Sequence, residues 1–330
     1  MRSVRSLVLA TSVAPLLIAG MAGLPATARA ADASPSIRID GSSTVYLITE
    51  AVAEEYRAVK PGINVTVGIA GTGGGFKKFC VGETDIQDAS RPIKQKEIDA
   101  ALAGGVQFIE LPVAYDGLSV VVNPKNTWAD HLTVDELKRI WQPGSTVKTW
   151  KDVRASFPDK PLKLYGAGTD SGTFDYFTEA IVGTARSSRS DYTASEDDNM
   201  LVQGVAGDEG ALGYFGFAYF EENSERLKLV AVDNGKGAVL PTPATIKSGE
   251  YAPLSRPLFI YVRKTTRPEV KEFVNFYLDH AAELSAEVGY VELSPELYAA
   301  SKKRFAGNVF GSAMAKAAPG AKFETVFLAR

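Results

Sequence analysis

"LKLYGAGTDSGTFDYFTEAIVG", residues 162–183, changes character along its length. Leu162 to Tyr165 has the pattern of a strand, residues 168–173 are small or hydroxylated, and the rest is patterned as a helix that stops near Gly183. Locally, Ser171 or Thr169 is a helix N-cap, and that role already explains the residue types. The free N–H groups of a helix start can equally hold an anion, so the local pattern leaves both interpretations open.

The same order of strand, polar loop and helix occurs twice earlier in the chain. "SIRIDGSST" runs into the loop at residues 41–44, and "INVTVGIAGTGGG" runs into a Gly-rich turn at residues 71–75 before the helix-like "FKKFCVGETD". "DIQDASRP" predicts a third short strand that brings Ser90 and Arg91 to its C-terminal end. Ligands of open α/β sheets bind at the carboxyl ends of strands, so these loops are candidates for one site.

Two further strand-like runs predict a division of the chain into lobes. "ELPVAYDGLSVVVNP" contains two apolar runs joined at residues 115–117, which indicates a crossover between lobes rather than a hairpin. "PLFIYVRK", from Pro257, indicates a second crossover back. We expect an α/β protein with a first lobe of residues 31–115 and 257–330 and a second lobe of residues 116–256.

The N-terminus predicts export. Arg2 and Arg5 precede an apolar run that ends in a small-x-small pattern at Ala28-Arg29-Ala30, as in a signal peptide of residues 1–30. Cleavage near Ala30 would leave 33 basic against 39 acidic residues in a chain expected in the periplasm. A net charge of that sign disfavours nucleic acid and anionic membranes as partners, so an anion must be bound by local geometry.

Cofactor and catalytic signatures are weak. Cys80 is the only cysteine, and His131 and His280 are far apart, so neither a zinc site nor a Ser-His-Asp hydrolase is favoured. The glycines of "GTGGG" fit neither nucleotide-binding pattern, the P-loop or the dinucleotide loop. The aromatic run at residues 214–220 is interpreted as core. No cofactor, metal or catalytic residue is expected.

Taken together, the motifs resemble a known family. "DGSSTVYLITEAVAEEY", "GTGGGFKKFCVGETDIQDASRPI", "ELPVAYDGLSVVVNP" and "YGAGTDSGTFDYFTEAIVG" occur in the order found in periplasmic phosphate-binding proteins of phosphate-specific ABC transporters. The resemblance covers nearly the whole mature chain and is greatest to the branch found in cyanobacteria and related bacteria. It implies a type II periplasmic binding fold, in which two α/β lobes joined by two crossover hinge strands close on phosphate.

Carried over position by position, the resemblance implies a phosphate site built from hydroxyls and backbone N–H groups. Its members are Ser43, Thr44 and the N–H of Val45, then Thr72 with the backbone of Gly73 and Gly74, then Ser171, Gly172 and Thr173. Ser90, Arg91 and Asp170 complete the set of candidate ligands.

The chain departs from the best-known branch at two positions. Ala167 stands where that branch has an arginine, and Arg91 stands where it has the aspartate that accepts a hydrogen bond from protonated phosphate. We interpret Arg91 as the relocated guanidinium; the alternative is a surface ion pair with Asp88. Asp170 and Asp116 are candidates for the acceptor that discriminates phosphate from sulfate.

The predicted function is therefore capture of inorganic phosphate by a monomeric, non-enzymatic protein that delivers it to the permease subunits of an ABC transporter. Two alternatives stay open: a secreted phosphohydrolase with the same anion socket, and a binder of another oxyanion such as sulfate or molybdate.

Overall fold

Strands and helices alternate along the chain, as the sequence predicts. The computed structural model describes residues 35–169, 171–195, 197–264, 267–317 and 322–330. The strands are β1 Ser36–Gly41, β2 Asn64–Gly68, β3 Ile86–Ala89, β4 Phe108–Val122, β5 His131–Thr133, β6 Lys163–Ala167, β7 Thr193–Ser195, β8 Ala211–Gly216, β9 Lys228–Leu229, β10 Ala231–Asp233, β11 Ala238–Val239 and β12 Ser255–Arg263. The helices are α1 Ser43–Val59, α2 Gly71–Phe79, α3 Gln95–Ala103, α4 Val134–Trp141, α5 Trp150–Val153, α6 Gly172–Phe177, α7 Asp198–Gly207, α8 Phe217–Glu222, α9 Pro243–Ser248, α10 Pro268–Glu287, α11 Pro295–Ala306 and α12 Phe323–Leu328. A π-helical turn, Thr178–Val182, continues α6.

One sheet runs through the molecule in the order β2-β1-β3-β12-β4-β8-β6-β7, with β9 also paired to β4. The strands of each half, β1 to β3 and β6 to β8, are parallel to one another, whereas β4 and β12 are antiparallel to each other and to the strands beside them. We call the part built on β1 to β3 the first lobe and the part built on β6 to β8 the second lobe. Because β4 and β12 are shared between the lobes, they fit the two predicted crossovers, and the predicted boundaries at 115/116 and 256/257 fall inside β4 and β12.

Local sequence signals explain where the helices begin. The Ser42 hydroxyl caps α1 by accepting from the N–H of Val45 at 3.5 Å, and the Ser171 hydroxyl caps α6 by accepting from the N–H of Thr173 at 3.2 Å. Helix α1 ends at Val59, two residues before Pro61, because proline cannot continue a helix. The predicted N-cap role of Ser171 is confirmed.

The Gly-rich segment differs from expectation. Residues 71–75, predicted as a turn, form the first part of α2. A Cβ on Gly75 would lie 2.1 Å from Gln87 Oε1 and 2.7 Å from the Cα of Gly41. The helix therefore packs directly against β1 and β3, and this close packing outweighs the low helix propensity of glycine.

The second lobe has an aromatic core. The rings of Phe177 and Tyr214 stack with centroids 3.7 Å apart, and Trp141 meets Tyr214 edge-on at 4.8 Å. Phe215 and Phe217 are also buried, which confirms the core interpretation for these members of the aromatic run. Among the described residues, no helix combines the length and apolar character that crossing a bilayer requires.

Candidate functional site

The starts of α1 and α6 meet between the lobes. The Thr44 hydroxyl donates to the Gly172 carbonyl at 3.4 Å, and the Ser43 hydroxyl lies 3.5 Å from a carboxylate oxygen of Asp175. A Cβ on Gly172 would lie 2.8 Å from the N and 2.9 Å from the Cα of Thr44. The lobes are therefore closed on each other here, and only glycine permits this approach.

Thr72, in the first turn of α2, and Ser90, directly after β3, form a pair of hydroxyls within the first lobe. Thr72 Oγ1 and Ser90 Oγ are 3.1 Å apart, and the Ser90 N–H donates to Thr72 Oγ1 at 3.2 Å. The Gln87 amide donates to the Thr72 carbonyl at 3.0 Å and fixes the loop from below. Gly73 lies in the first turn of α2, where helical N–H groups have no intrahelical acceptor. Thr72, Gly73 and Ser90 thus sit together, while Gly74 packs against Ala70.

The guanidinium fork of Arg91 is already paired with a carboxylate. Its two terminal nitrogens donate to both carboxylate oxygens of Glu97, at 2.9 and 2.7 Å, and one of them also donates to the Pro92 carbonyl. Burial alone would raise the pKa of Glu97, but Arg91 and the Lys94 N–H outweigh burial and lower it. The partner is Glu97 rather than Asp88, so the alternative interpretation was right about an ion pair and wrong about the acid.

Asp88 is instead part of the interior. Its side chain is fully buried at the end of β3, and burial raises its pKa well above the usual aspartate range. The Thr49 hydroxyl favours the ionised form but does not outweigh burial. Burial favours the neutral form of this carboxyl, and no described arginine pairs with it.

Sequence reasoning missed Arg256. Its Nη2 donates to the Thr44 hydroxyl at 3.0 Å, its Nε donates to Asp116 at 3.3 Å, and its guanidinium carbon lies 3.4 Å from the ring centroid of Tyr176. The side chain is only 13% exposed. A charged residue inside the second crossover strand was the available signal, because such strands are otherwise apolar.

The acid beside Arg256 is one of the two candidate acceptors. Asp116 is buried on β4 and directly opposite Arg256 in the strand register. Burial raises its pKa, and the neighbouring guanidinium opposes that rise. The Tyr290 hydroxyl donates to the Thr44 carbonyl at 2.9 Å and closes the back of the cluster. The other candidate, Asp170, lies outside the described residues.

A cavity of about 270 Å³ opens beside these groups. It is lined by both arginines and by side chains from each lobe. The lining residues are Ser90, Arg91, Pro92, Tyr176, Glu179, Ala180, Pro253, Ser255, Arg256 and Pro257. The loops at Thr44 and Gly172 are in direct contact, whereas the Thr72 and Ser90 pair lies on the first-lobe side. In the described ranges, no three His, Cys, Asp or Glu side chains cluster as a metal site would require.

Known proteins resemble this chain along most of its length. The PBP superfamily domain matches residues 26–280. "Protein SphX" of Synechocystis is 53% identical over 84% of this chain and 85% of its own, and "Phosphate-binding protein PstS" of Staphylococcus haemolyticus is 39% identical over 78% and 80%. The solved structure of a possible phosphate-binding protein from Planctomyces limnophilus is 52% identical, covers 83% of this chain and 98% of its own, and gives a TM-score of 0.80.

An ABC-type phosphate transport receptor from Vibrio cholerae is 25% identical and covers 78% of this chain and all of its own, with a TM-score of 0.62. The chain therefore belongs to the PBP superfamily, within the family that includes the SphX and PstS proteins, and has the type II periplasmic binding fold.

Proposed function

We propose that this protein captures inorganic phosphate between its two lobes and delivers it to the permease of an ABC transporter. The observation that carries the proposal is the meeting of the two loops at Thr44 and Gly172, beside a buried guanidinium. The relatives named as phosphate-binding proteins and as a phosphate transport receptor support phosphate as the ligand.

The site has the chemistry of an anion socket. Its hydroxyls lie at strand ends and helix starts, where backbone N–H groups also face the ligand. Hydrogen bonds to a charged ligand contribute about 1.5–3 kcal/mol each, so about six of them contribute about 9–18 kcal/mol. Association costs about 4–15 kcal/mol, and micromolar binding needs a net of about 8 kcal/mol, which the upper part of that contribution supplies. The proposed ligands are Ser43, Thr44, Val45, Thr72, Gly73, Gly74, Ser90, Arg91, Asp170, Ser171, Gly172 and Thr173.

Closure is the proposed response to the ligand. The hinge segments, which we place at residues 115–117 and 255–259, are paired, with Ser255 opposite Gly117 and Pro257 opposite Tyr115. The register shifts between Leu258 and Phe259, and such an irregularity loosens a strand locally. Only the closed arrangement brings donors of both lobes to one anion, so phosphate favours closure by its differential affinity.

We further propose that residues 1–30 direct export, that the mature protein works as a monomer in the periplasm, and that it has no catalytic activity. Asp116 or Asp170 would accept the hydrogen bond from protonated phosphate that sulfate cannot donate.

Calorimetry tests the proposal. The purified protein, freed of bound phosphate, is titrated with phosphate, arsenate and sulfate at two pH values, and a chromogenic phosphate ester is assayed in parallel. We expect binding of phosphate and arsenate at micromolar or lower concentration and little heat from sulfate. Absence of phosphate heat refutes the proposal, a preference for sulfate favours another oxyanion, and ester turnover favours a phosphohydrolase.

A further inference from the structure

We infer that Arg256, on the second hinge strand, is the principal cationic ligand of the bound anion, ahead of Arg91. The inference rests on the proposed function, because it names the charge that holds a tetrahedral oxyanion in that same site. The motifs of the sequence predicted Arg91 as this cationic ligand, whereas the inference places the role on the hinge strand β12.

Arg256 has more hydrogen-bond donors than the described residues around it accept. A guanidinium has five N–H donors, and Arg256 uses one on Asp116 and one on the Thr44 hydroxyl. Among the described residues, its other three N–H bonds have no acceptor. A cation that is 13% exposed and lines a cavity with unused donors is arranged for an anionic acceptor.

Arg91 and Arg256 differ in how their guanidinium groups are paired. Both terminal nitrogens of Arg91 are held by Glu97, so its charge is already matched by a carboxylate in bidentate geometry. An anion would have to displace Glu97 to reach that fork. Asp116 meets Arg256 through Nε alone, at 3.3 Å, and Thr44 takes one N–H of Nη2. The two N–H bonds of Nη1 and the second N–H of Nη2 therefore stay open to an anion.

The guanidinium of Arg256 contacts both lobes. It donates to Thr44 on the first lobe and lies over the ring of Tyr176 on the second lobe. The two contacts exist together only when the lobes are closed. Binding of an anion by Arg256 therefore couples occupancy of the site to closure, and Asp116 and Tyr176 act as positioning residues.

Substitution tests the inference. We expect Arg256→Gln to weaken phosphate binding by at least about a hundredfold, since two charge-assisted hydrogen bonds and the charge are lost. Arg91→Gln is expected to have the smaller effect: its Kd for phosphate should be at least about tenfold lower than that of Arg256→Gln. Arg256→Lys keeps the charge but loses the planar fork, so an intermediate affinity is expected.

Arg154→Gln is the matched control. Arg154 is also paired with a glutamate, Glu136, and also lies over an aromatic ring, Phe157, but it does not line the cavity. Its replacement is expected to lower the melting temperature and to leave phosphate affinity unchanged. Affinity is measured by calorimetry, and thermal unfolding without phosphate shows whether each variant is folded.

The outcomes separate the two proposals. If the wild-type protein does not bind phosphate, the proposed function and this inference both fail. If the wild-type protein binds but Arg256→Gln binds within about threefold of it, or Arg91→Gln loses as much, only the inference is overturned. If Arg256→Gln does not fold, Arg256→Lys decides, because wild-type affinity in that variant contradicts the need for a guanidinium.

Discussion

Gly172 is the residue at which the closed arrangement is most tightly determined. Its Cα faces the backbone of Thr44 across the cleft, and a Cβ would meet backbone atoms that have no flexible end to move. Gly172 is also the first residue of α6, a position whose backbone conformation suits any L-residue. The requirement for glycine therefore comes from closure and not from the local backbone.

Gly172→Ala is expected to lower phosphate affinity about fivefold to a hundredfold, because the extra methyl keeps the two loops apart and costs about 1–3 kcal/mol on closure. The melting temperature without phosphate should change little, since an open cleft has room for the methyl group. Gly207→Ala is the matched control: a Cβ there meets nothing within 4 Å, and affinity should stay at the wild-type value. Equal affinity of the two variants would contradict the close approach of Gly172 and Thr44 in the liganded protein.

The burial of Asp88 predicts how the free energy of unfolding depends on pH. Its folded pKa is raised by burial, so between the unfolded pKa of about 3.9 and the raised value the folded state holds a proton that the unfolded state has lost. The free energy of unfolding therefore decreases as pH rises through that window, by up to about 1.4 kcal/mol per pH unit from this group. Asp88→Asn removes this contribution. In urea unfolding, the free energy of unfolding of the variant should increase relative to that of the wild type as pH rises. If the two free energies depend on pH in the same way, the assignment to Asp88 is wrong.

The arginines show how far sequence reasoning reaches for single residues. Arg91 and Glu97 are six residues apart, so their pair was within reach of a local argument. Arg256 and Thr44 are 212 residues apart, and the guanidinium reaches Thr44 only because β12 lies next to β3 and β3 next to β1 in the sheet. Long-range contacts of this kind depend on the register of the hinge strands, which no local pattern specifies.

Among the secondary-structure elements, the order of strands and helices was predictable where a helix start or end carries its own local signal. Ser42 and Ser171 are caps, and Pro61 follows the end of α1. Helix α2 was not predictable as a helix from residue 71, because glycine has low helix propensity and the favourable packing on β1 and β3 is tertiary. The proposed location of the site rests on the polar loops at strand ends rather than on any individual ligand.

The attachment of the C-terminal segment to β4 gives a prediction for an element. Glu110 on β4 accepts hydrogen bonds from the hydroxyls of Tyr261 and Ser312 and from the N–H groups of Ala313 and Met314. Glu110→Gln leaves one acceptor oxygen for these donors, so we expect a loss of about 2–4 kcal/mol in the free energy of unfolding at pH 8.

Urea unfolding measures this loss, and limited proteolysis shows whether cleavage begins near residue 312. Glu54→Gln, at an exposed position on α1, is the control and should unfold as the wild type does. A wild-type free energy of unfolding in Glu110→Gln would mean that the four donors find other partners.

At the scale of the whole molecule, the hinge is a property of two strands that run through both lobes. Strands β4 and β12 pair from Ser255 opposite Gly117 to Arg263 opposite Phe108, so one sheet joins the lobes without a flexible linker. Such a sheet permits rotation only about a narrow region, and the register shift next to Phe259 lies in that region. The lobes should therefore move as rigid bodies about residues 115–117 and 255–259.

Small-angle X-ray scattering tests this motion. The direct hydrogen bonds between the two loops, from Thr44 to Gly172 and from Ser43 to Asp175, are long, at 3.4 and 3.5 Å. Without an anion to join the lobes, we therefore expect an open ensemble with a larger radius of gyration. Saturating phosphate should reduce the radius of gyration, whereas sulfate should not. Phosphate at a hundred times its Kd should also add about 2.7 kcal/mol to stability and raise the melting temperature by about 4 °C or more. A raised melting temperature with an unchanged radius would mean that phosphate binds without closing the lobes, and the hinge assignment would then be wrong while phosphate binding stood.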